Sequence, residues 1–209
     1  MKLLLVGATG LVGRHVLDLA LADPRVSAVI APGRRSLPEQ TGLLSPLVDY
    51  ERLPEDAEWW KADAIICTLG TTMKVAGSEA TFRRVDHDYP LSVARLARGY
   101  ETPVYVLNSA IGANVKSRFF YNRVKGELEQ DLTREGFTSL TFVRPGVIGG
   151  QREESRPGES IMVRALAFAG PLLPRRWRLN PPEQIARVLL EAALNAKAGV
   201  HVVTSGRMV

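Results

Sequence analysis

The chain opens Met1-Lys2-Leu3-Leu4-Leu5-Val6-Gly7-Ala8-Thr9-Gly10-Leu11-Val12-Gly13, and this stretch decides the fold. Lys2–Val6 is a short, mostly apolar run. Leu11–Ala22 repeats apolar side chains at helical spacing. A buried strand, a glycine turn and a helix in that order form the phosphate-binding corner of a dinucleotide fold. Gly7 permits a turn that a Cβ would block, Gly10 allows close approach of a pyrophosphate, and Gly13 lets the helix pack on the strand. The helix N-terminus offers free N–H groups and a partial positive charge to the phosphates. Gly7, Thr9, Gly10, Leu11, Val12 and Gly13 are therefore the expected cofactor cradle. The spacing is G-x-x-G-x-x-G rather than G-x-G-x-x-G, which points to one branch of nucleotide-binding enzymes.

The rest of the chain alternates strands and helices with no break in composition. Strands are expected at Lys2–Val6, Val26–Ala31, Leu43–Asp49, Ala64–Thr68, Val104–Leu107, Leu140–Arg144 and Val200–Thr204. Helices are expected at Leu11–Ala22, Glu79–Gly99, Phe119–Glu135 and Pro182–Asn195, with shorter pieces near Pro54–Trp60 and Ile161–Phe168. Short apolar runs separated by helical patterns predict a Rossmann-like, doubly wound α/β fold, its sheet mainly parallel and covered by helices on both faces. Residues 1–209 read as one dinucleotide-binding domain, with a small substrate or lid region around 149–180. The polar loop Gly149–Gly158 suits a cover over the ligand.

The 209 residues suit a single domain with a substantial core, at 45% hydrophobic and 23% charged. One cysteine, Cys67, excludes an internal disulfide framework and fits a reducing compartment. The apolar start ends at Gly7, too short for a secretory signal, and no run reaches the length of a membrane span. These observations predict a cytoplasmic protein. The net charge is +5, but the basic residues are scattered, and the densest cluster, Arg175-Arg176-Trp177-Arg178, reads as a solvated loop. An anionic cofactor or substrate accounts for that balance without nucleic acid. His15, His87 and His201 lie far apart, so no metal site is expected. No G-x-S-x-G elbow signals a hydrolase.

Arg34 and Arg35 follow the second strand about 20 residues after the glycine turn, where NAD-selective folds place an acid for the ribose hydroxyls. A guanidinium there pairs with a phosphate instead, so NADP(H) is the expected cofactor. Cys67–Thr72 closes the fourth strand, and the small residues at that edge leave room for adenosine and ribose, so Leu69, Gly70 and Thr71 are expected cofactor contacts. Cys67 beside them reads as a packing residue. Tyr121 and Lys125 form Y-x-x-x-K, which shares one helix face. Ser109 lies at the preceding strand end. This is an arrangement for carbonyl reduction: Tyr121 gives a proton to the developing alkoxide, Lys125 assists through its charge, and Ser109 hydrogen-bonds the carbonyl oxygen.

Together these residues resemble the short-chain dehydrogenase/reductase superfamily, in its extended and atypical branches. Ser109, Tyr121 and Lys125 match the family's catalytic Ser, Tyr and Lys. The segment Val143-Arg144-Pro145-Gly146-Val147-Ile148 resembles the one bordering the nicotinamide, so Pro145, Gly146 and Val147 join the implied cofactor contacts, as do Tyr121 and Lys125. Cys67–Thr72, Phe120–Glu129 and Glu154–Glu159 are similar to the atypical group around the Tat-interacting protein, an oxidoreductase-like NADPH binder. The family's helix-borne Asn has no clear equivalent, and Asp86 occupies its region. The reading is a reductase of a small carbonyl or quinone-like substrate. Two alternatives stand beside it: an NADPH-binding regulator with a protein partner, and a sugar-nucleotide epimerase-like enzyme. The helices Glu79–Gly99 and Phe119–Glu135 often pair across a two-fold axis in the superfamily. Their exposed faces here carry Arg83, Arg84, Arg95, Arg98 and Glu129, which does not suggest a strongly apolar seam and leaves monomer and homodimer both open.

Overall fold

The computed structural model describes residues 1–148 and 179–209. Leu3, Leu4, Leu5 and Val6 are inaccessible to solvent, as a central parallel strand covered on both faces requires. This strand, β1 (Lys2–Val6), runs through the glycine turn into α1 (Leu11–Ala22). There follow β2 (Ala28–Ile30), β3 (Leu43–Leu44), β4 (Ala64–Cys67), the short helices α2 (Met73–Ala76) and α3 (Glu79–Arg83), then α4 (Tyr89–Gly99). The described remainder is β5 (Val104–Asn108), α5 (Phe120–Arg134), β6 (Ser139–Arg144), α6 (Pro182–Leu194) and β7 (Gly199–Thr204). The seven strands form one sheet in the order β3-β2-β1-β4-β5-β6-β7, every neighbouring pair parallel.

Side chains alternate across the strands, so each strand feeds two cores. Leu3, Leu5, Ile66 and Val106 pack under α1 and α6 through Val16, Leu17, Ile185 and Leu189. Leu4, Val6, Ile65 and Leu107 face α4 and α5 through Val93, Ala97, Leu128 and Leu132. The expected doubly wound Rossmann-like architecture is thus present. After β1 the chain builds outward through β2 and β3, then returns to place β4 on the other side of β1. Such a reversal opens a crevice at the carboxyl ends of the strands, here between β1 and β4.

Several elements differ from the expected spans. β3 ends at Leu44 instead of Asp49. Pro46 has no N–H to continue the ladder, and pairing returns only as the isolated bridge Gly33–Leu47. β2 begins at Ala28, because the Val26 N–H bonds back to the Asp23 carbonyl at 2.9 Å. The helical piece near Pro54 shrinks to a 3-10 turn, Glu58–Trp60, pinned by a 2.6 Å bond from the Trp60 indole to the Pro54 carbonyl. The helix expected over Glu79–Gly99 is broken by a π-helical turn at Arg84–Asp88. Pro90 explains it: a proline ring collides with the carbonyl four residues back, here that of Asp86, and a widened turn relieves the clash. The loop Gly149–Gly158, the helical piece Ile161–Phe168, the basic cluster at 175–178 and nearly all of the proposed lid region lie outside the described residues. Among those described, no helix is long and apolar enough to cross a membrane.

Candidate active site

The glycine turn has the geometry its sequence requires. Gly7 adopts φ +89°, a left-handed conformation that side chains disfavour. A Cβ on Gly13 would lie 2.1 Å from the Gly7 carbonyl oxygen, so helix and turn touch backbone to backbone. Thr68, just past β4, donates its hydroxyl to the Val6 and Gly7 carbonyls at 3.0 and 3.1 Å, tying the two strand ends together. Arg14 makes the first helical bond, to the Gly10 carbonyl at 3.0 Å. The Gly10 N–H is taken by the Gly7 carbonyl at 3.0 Å, and the N–H groups of Leu11, Val12 and Gly13 are left for an outside acceptor. The first turn of α1 carries no acidic side chain, and Arg14 lines the same cleft. This donor set fits the pyrophosphate of a dinucleotide.

The cleft begins at this corner, at Thr9, Gly10, Leu11 and Val12, and passes the β4 end at Leu69, Gly70 and Thr71. It reaches Asn108 and Ser109 at the end of β5 and Tyr121 and Lys125 on α5, with Ile148 on its far side. The described residues enclose about 360 Å³, the size of a small-molecule site. Residues remote in sequence therefore line one continuous groove.

At its floor lies a buried ion pair. Lys125 Nζ stands 2.8 Å from Asp86 Oδ1, with side chains 4% and 1% exposed. The other carboxylate oxygen, Oδ2, accepts the Thr71 N–H at 2.7 Å. Burial disfavours the charged form of Lys125, but Asp86, aided by Tyr121, outweighs it and holds the ammonium above the ordinary lysine range. Asp86 arrives at Lys125 on the π-helical turn. Tyr121 sits one helical turn before Lys125, 41% exposed, with its ring 5.7 Å from that of Phe82.

Ser109 is buried, and its hydroxyl donates to Glu129 Oε1 at 2.6 Å. Glu129 also receives both arms of Arg144: Nε at 2.9 Å, and Nη2 on its second oxygen. The hydrogen bonds donated to Glu129 hold the Arg144 guanidinium above its ordinary range. Glu129 does not lie on the exposed helix face that the sequence predicts for it. It is 5% exposed, because α5 turns it inward beside Lys125. A signal for it existed: Tyr121, Lys125 and Glu129 recur every four residues, the spacing of a single helix face.

Other expected positions lie off the described lining. Arg34 and Arg35 stand exposed beyond β2. Pro145, Gly146 and Val147 follow β6, where Asn180 clamps them: its Oδ1 accepts the Gly146 N–H at 2.6 Å, and its N–H donates to the Val147 carbonyl at 2.9 Å. Nothing in the local sequence around Asn180 announced this role. Cys67 is fully buried, and burial pushes its thiol up, as for a packing residue. His87 lies between Asp88, at 2.8 Å, and Asp131, at 3.1 Å, linking the π turn to α5.

No model of a known family matches the chain. Curated relatives do. The mitochondrial protein fmp52 of Emericella nidulans is 39% identical over 178 residues, covering 80% of this chain and 74% of its own length. That of Aspergillus clavatus is 36% identical over 208 residues, covering 93% and 88%. FMP52 of Candida albicans is 34% identical over 164 residues, covering 74% and 70%. These relatives are named as mitochondrial, which overturns the cytoplasmic expectation. A lone cysteine does not distinguish one compartment inside the cell from another. Among solved structures, MoeE5 in complex with UDP-glucuronic acid and NAD superposes with a TM-score of 0.75 at 16% identity, covering 97% of this chain and 75% of its own. A putative NAD-dependent epimerase/dehydratase from Bacillus halodurans gives 0.69 at 17% identity, covering 98% and 94%. A short-chain dehydrogenase/reductase of Saccharomyces cerevisiae gives 0.68 at 14%, covering 96% and 94%. With relatives this similar over most of its length, and with this sheet order, the chain belongs to the Fmp52 family and carries the short-chain dehydrogenase/reductase fold.

Proposed function

We propose that the protein is an NADP(H)-dependent oxidoreductase that reduces a small carbonyl or quinone-like substrate. The observation that carries this reading is the continuity of the cleft: the anion-binding corner at Thr9, Gly10, Leu11 and Val12 and the Tyr121–Lys125 face of α5 line one groove, while Gly7 and Gly13 shape the corner from behind the lining. A bound nicotinamide dinucleotide supplies the hydride. The N–H groups of the α1 N-terminus and Arg14 would hold its phosphates, and the Leu69–Thr71 segment would take its adenosine side. Tyr121, the exposed acid of the groove, gives its proton to the substrate oxygen. Lys125 has donors to spare after Asp86, and it offers them to the nicotinamide ribose and to the Tyr121 oxygen. Ser109 can steady a carbonyl only by swinging its proton away from Glu129, which Arg144 continues to hold. The preference for NADP(H) is supported by Arg34 and Arg35, which stand exposed where an acid would select NAD. The resemblance to the Tat-interacting-protein group supports it too.

The commitment of Ser109 to Glu129 also favours a second reading, in which the dinucleotide is bound as a regulatory ligand without turnover. One experiment separates the two. NADPH oxidation is followed against a panel of aldehydes, ketones and quinones, for wild type and for Tyr121→Phe. Turnover that collapses in the variant supports the reductase. Tight NADPH binding with no substrate in the panel supports the regulator. A substrate turned over equally by both proteins removes Tyr121 from the mechanism.

A further inference from the structure

We propose that Asp86 is a positioning residue for Lys125: its carboxylate keeps the buried amine protonated and aimed along the cleft. This deepens the oxidoreductase reading, which needs a charged Lys125 beside Tyr121. The carboxylate is built in from three directions. Pro90 forces the π-helical turn that delivers it, and Thr71 donates its N–H to Oδ2 at 2.7 Å. Gly70 leaves space above it, since a Cβ there would lie 3.2 Å from Asp86 Oδ1 and 3.8 Å from Lys125 Nζ. The Gly70–Thr71 loop after β4 is thereby coupled to the lysine through one carboxylate.

The chemistry follows from charge and burial. An ammonium this deep without a counter-charge releases its proton, because the neutral amine is the cheaper species in a poorly solvated site. The groups facing Lys125 are few. Tyr121 lies on its own helix, and Asp86 comes from the π turn. The Cys67 thiol, pushed up by burial, comes from β4 and carries no charge near neutrality. The Glu129 carboxylate, one turn further along α5, is taken by Ser109 and Arg144. Asp86 is therefore the anion that maintains the Lys125 charge.

Amine acylation tests this without any substrate, because only the neutral amine reacts. The intact protein is pulsed with acetic anhydride from pH 7 to 11. Acylation of Lys125 is read by peptide mass spectrometry against the exposed Lys61 and Lys116 as internal references. In wild type, Lys125 should lag both references throughout. Asp86→Asn keeps the size and the acceptor for Thr71 but removes the charge. It should move the Lys125 reactivity midpoint to lower pH by at least one unit, raising relative reactivity at pH 8 tenfold or more. Asp86→Glu, which keeps the charge, should leave the midpoint near that of wild type. A midpoint unmoved by Asp86→Asn overturns the proposal, as does a rate raised equally at every pH, which reports mere opening of the cleft. If Asp86→Asn alone does not fold, Asp86→Asn/Lys125→Met should fold, having no unpaired charge to bury. Failure of both to fold overturns the proposal as well. The two readings fail separately: a shifted midpoint with no turnover sinks the reductase, and Tyr121-dependent turnover with an unmoved midpoint sinks the role of Asp86.

Discussion

Replacing Gly13 by Ala tests the corner on which the cofactor reading depends. The added Cβ would lie 2.1 Å from the Gly7 oxygen, 2.8 Å from the Gly7 carbonyl carbon and 2.8 Å from Thr68 Oγ1. Relieving the first contact to an ordinary separation requires α1 to back away by about 1 Å, and close-packed interiors resist such displacements. Overpacking of this kind costs about 1–3 kcal/mol. The Thr68 hydroxyl, whose single proton is shared between the Val6 and Gly7 carbonyls, would also be dislodged, at roughly 1 kcal/mol. The sum is on the order of 2–4 kcal/mol, a large part of a typical stability of about 5–15 kcal/mol. For a chain of this length that is a fall in melting temperature of roughly 4–16 °C. Gly10→Ala is the control. Its Cβ meets only the Gly7 oxygen, at 3.3 Å, so it should melt within a few degrees of wild type and still lose dinucleotide affinity, because the methyl group stands where the pyrophosphate approaches. Differential scanning calorimetry and NADPH fluorescence titration read the two effects separately. If Gly13→Ala melts like wild type and binds NADPH with unchanged affinity, the contact between turn and helix is not as described and the argument fails.

Tyr121→Phe should fold and bind NADPH nearly as wild type while turnover of an identified substrate falls about 10²–10⁴-fold, the usual contribution of a positioned general acid. Arg34→Ala/Arg35→Ala should shrink a preference for NADPH over NADH of at least about tenfold, or ~1.4 kcal/mol, chiefly by weakening NADPH; equal wild-type affinities by calorimetry would refute the cofactor assignment. Glu129→Ala leaves the half-buried Arg144 guanidinium without its partner and frees the Ser109 hydroxyl, so it should lower stability by about 1.5–3 kcal/mol in urea unfolding; a change under about 0.5 kcal/mol would show the pair to be idle. The sign of the alkaline response follows from Lys125. Its folded-state value is raised, so the stability it contributes is fully present below its unfolded value and is lost as pH rises through the folded one. Lys125→Met should therefore flatten the alkaline limb of a stability–pH curve, and an unchanged limb would contradict the direction of the shift.

The sequence alone determined whatever depends on near neighbours in the chain. The Gly7–Gly13 turn was legible because each glycine answers a steric demand made within a few residues. Tyr121 and Lys125 were legible because helical spacing by itself places them on one face. The parallel sheet followed from short apolar runs alternating with helical patterns. Element ends were less legible where a proline intervened: Pro46 shortens β3, and Pro90 turns the expected helix Glu79–Gly99 into two helices around a π turn. Only the tertiary structure decided the partners of the catalytic candidates. Asp86 reaches Lys125 from a separate helical segment, Ser109 reaches Glu129 across 20 residues, and Asn180 clamps Gly146 across 34. A carboxylate carries no local mark of the charge it will meet, since burial and partner are both set by how α4, α5 and the strand ends pack. Compartment lay beyond both, because the forces that fold a Rossmann sheet are the same wherever in the cell the chain resides.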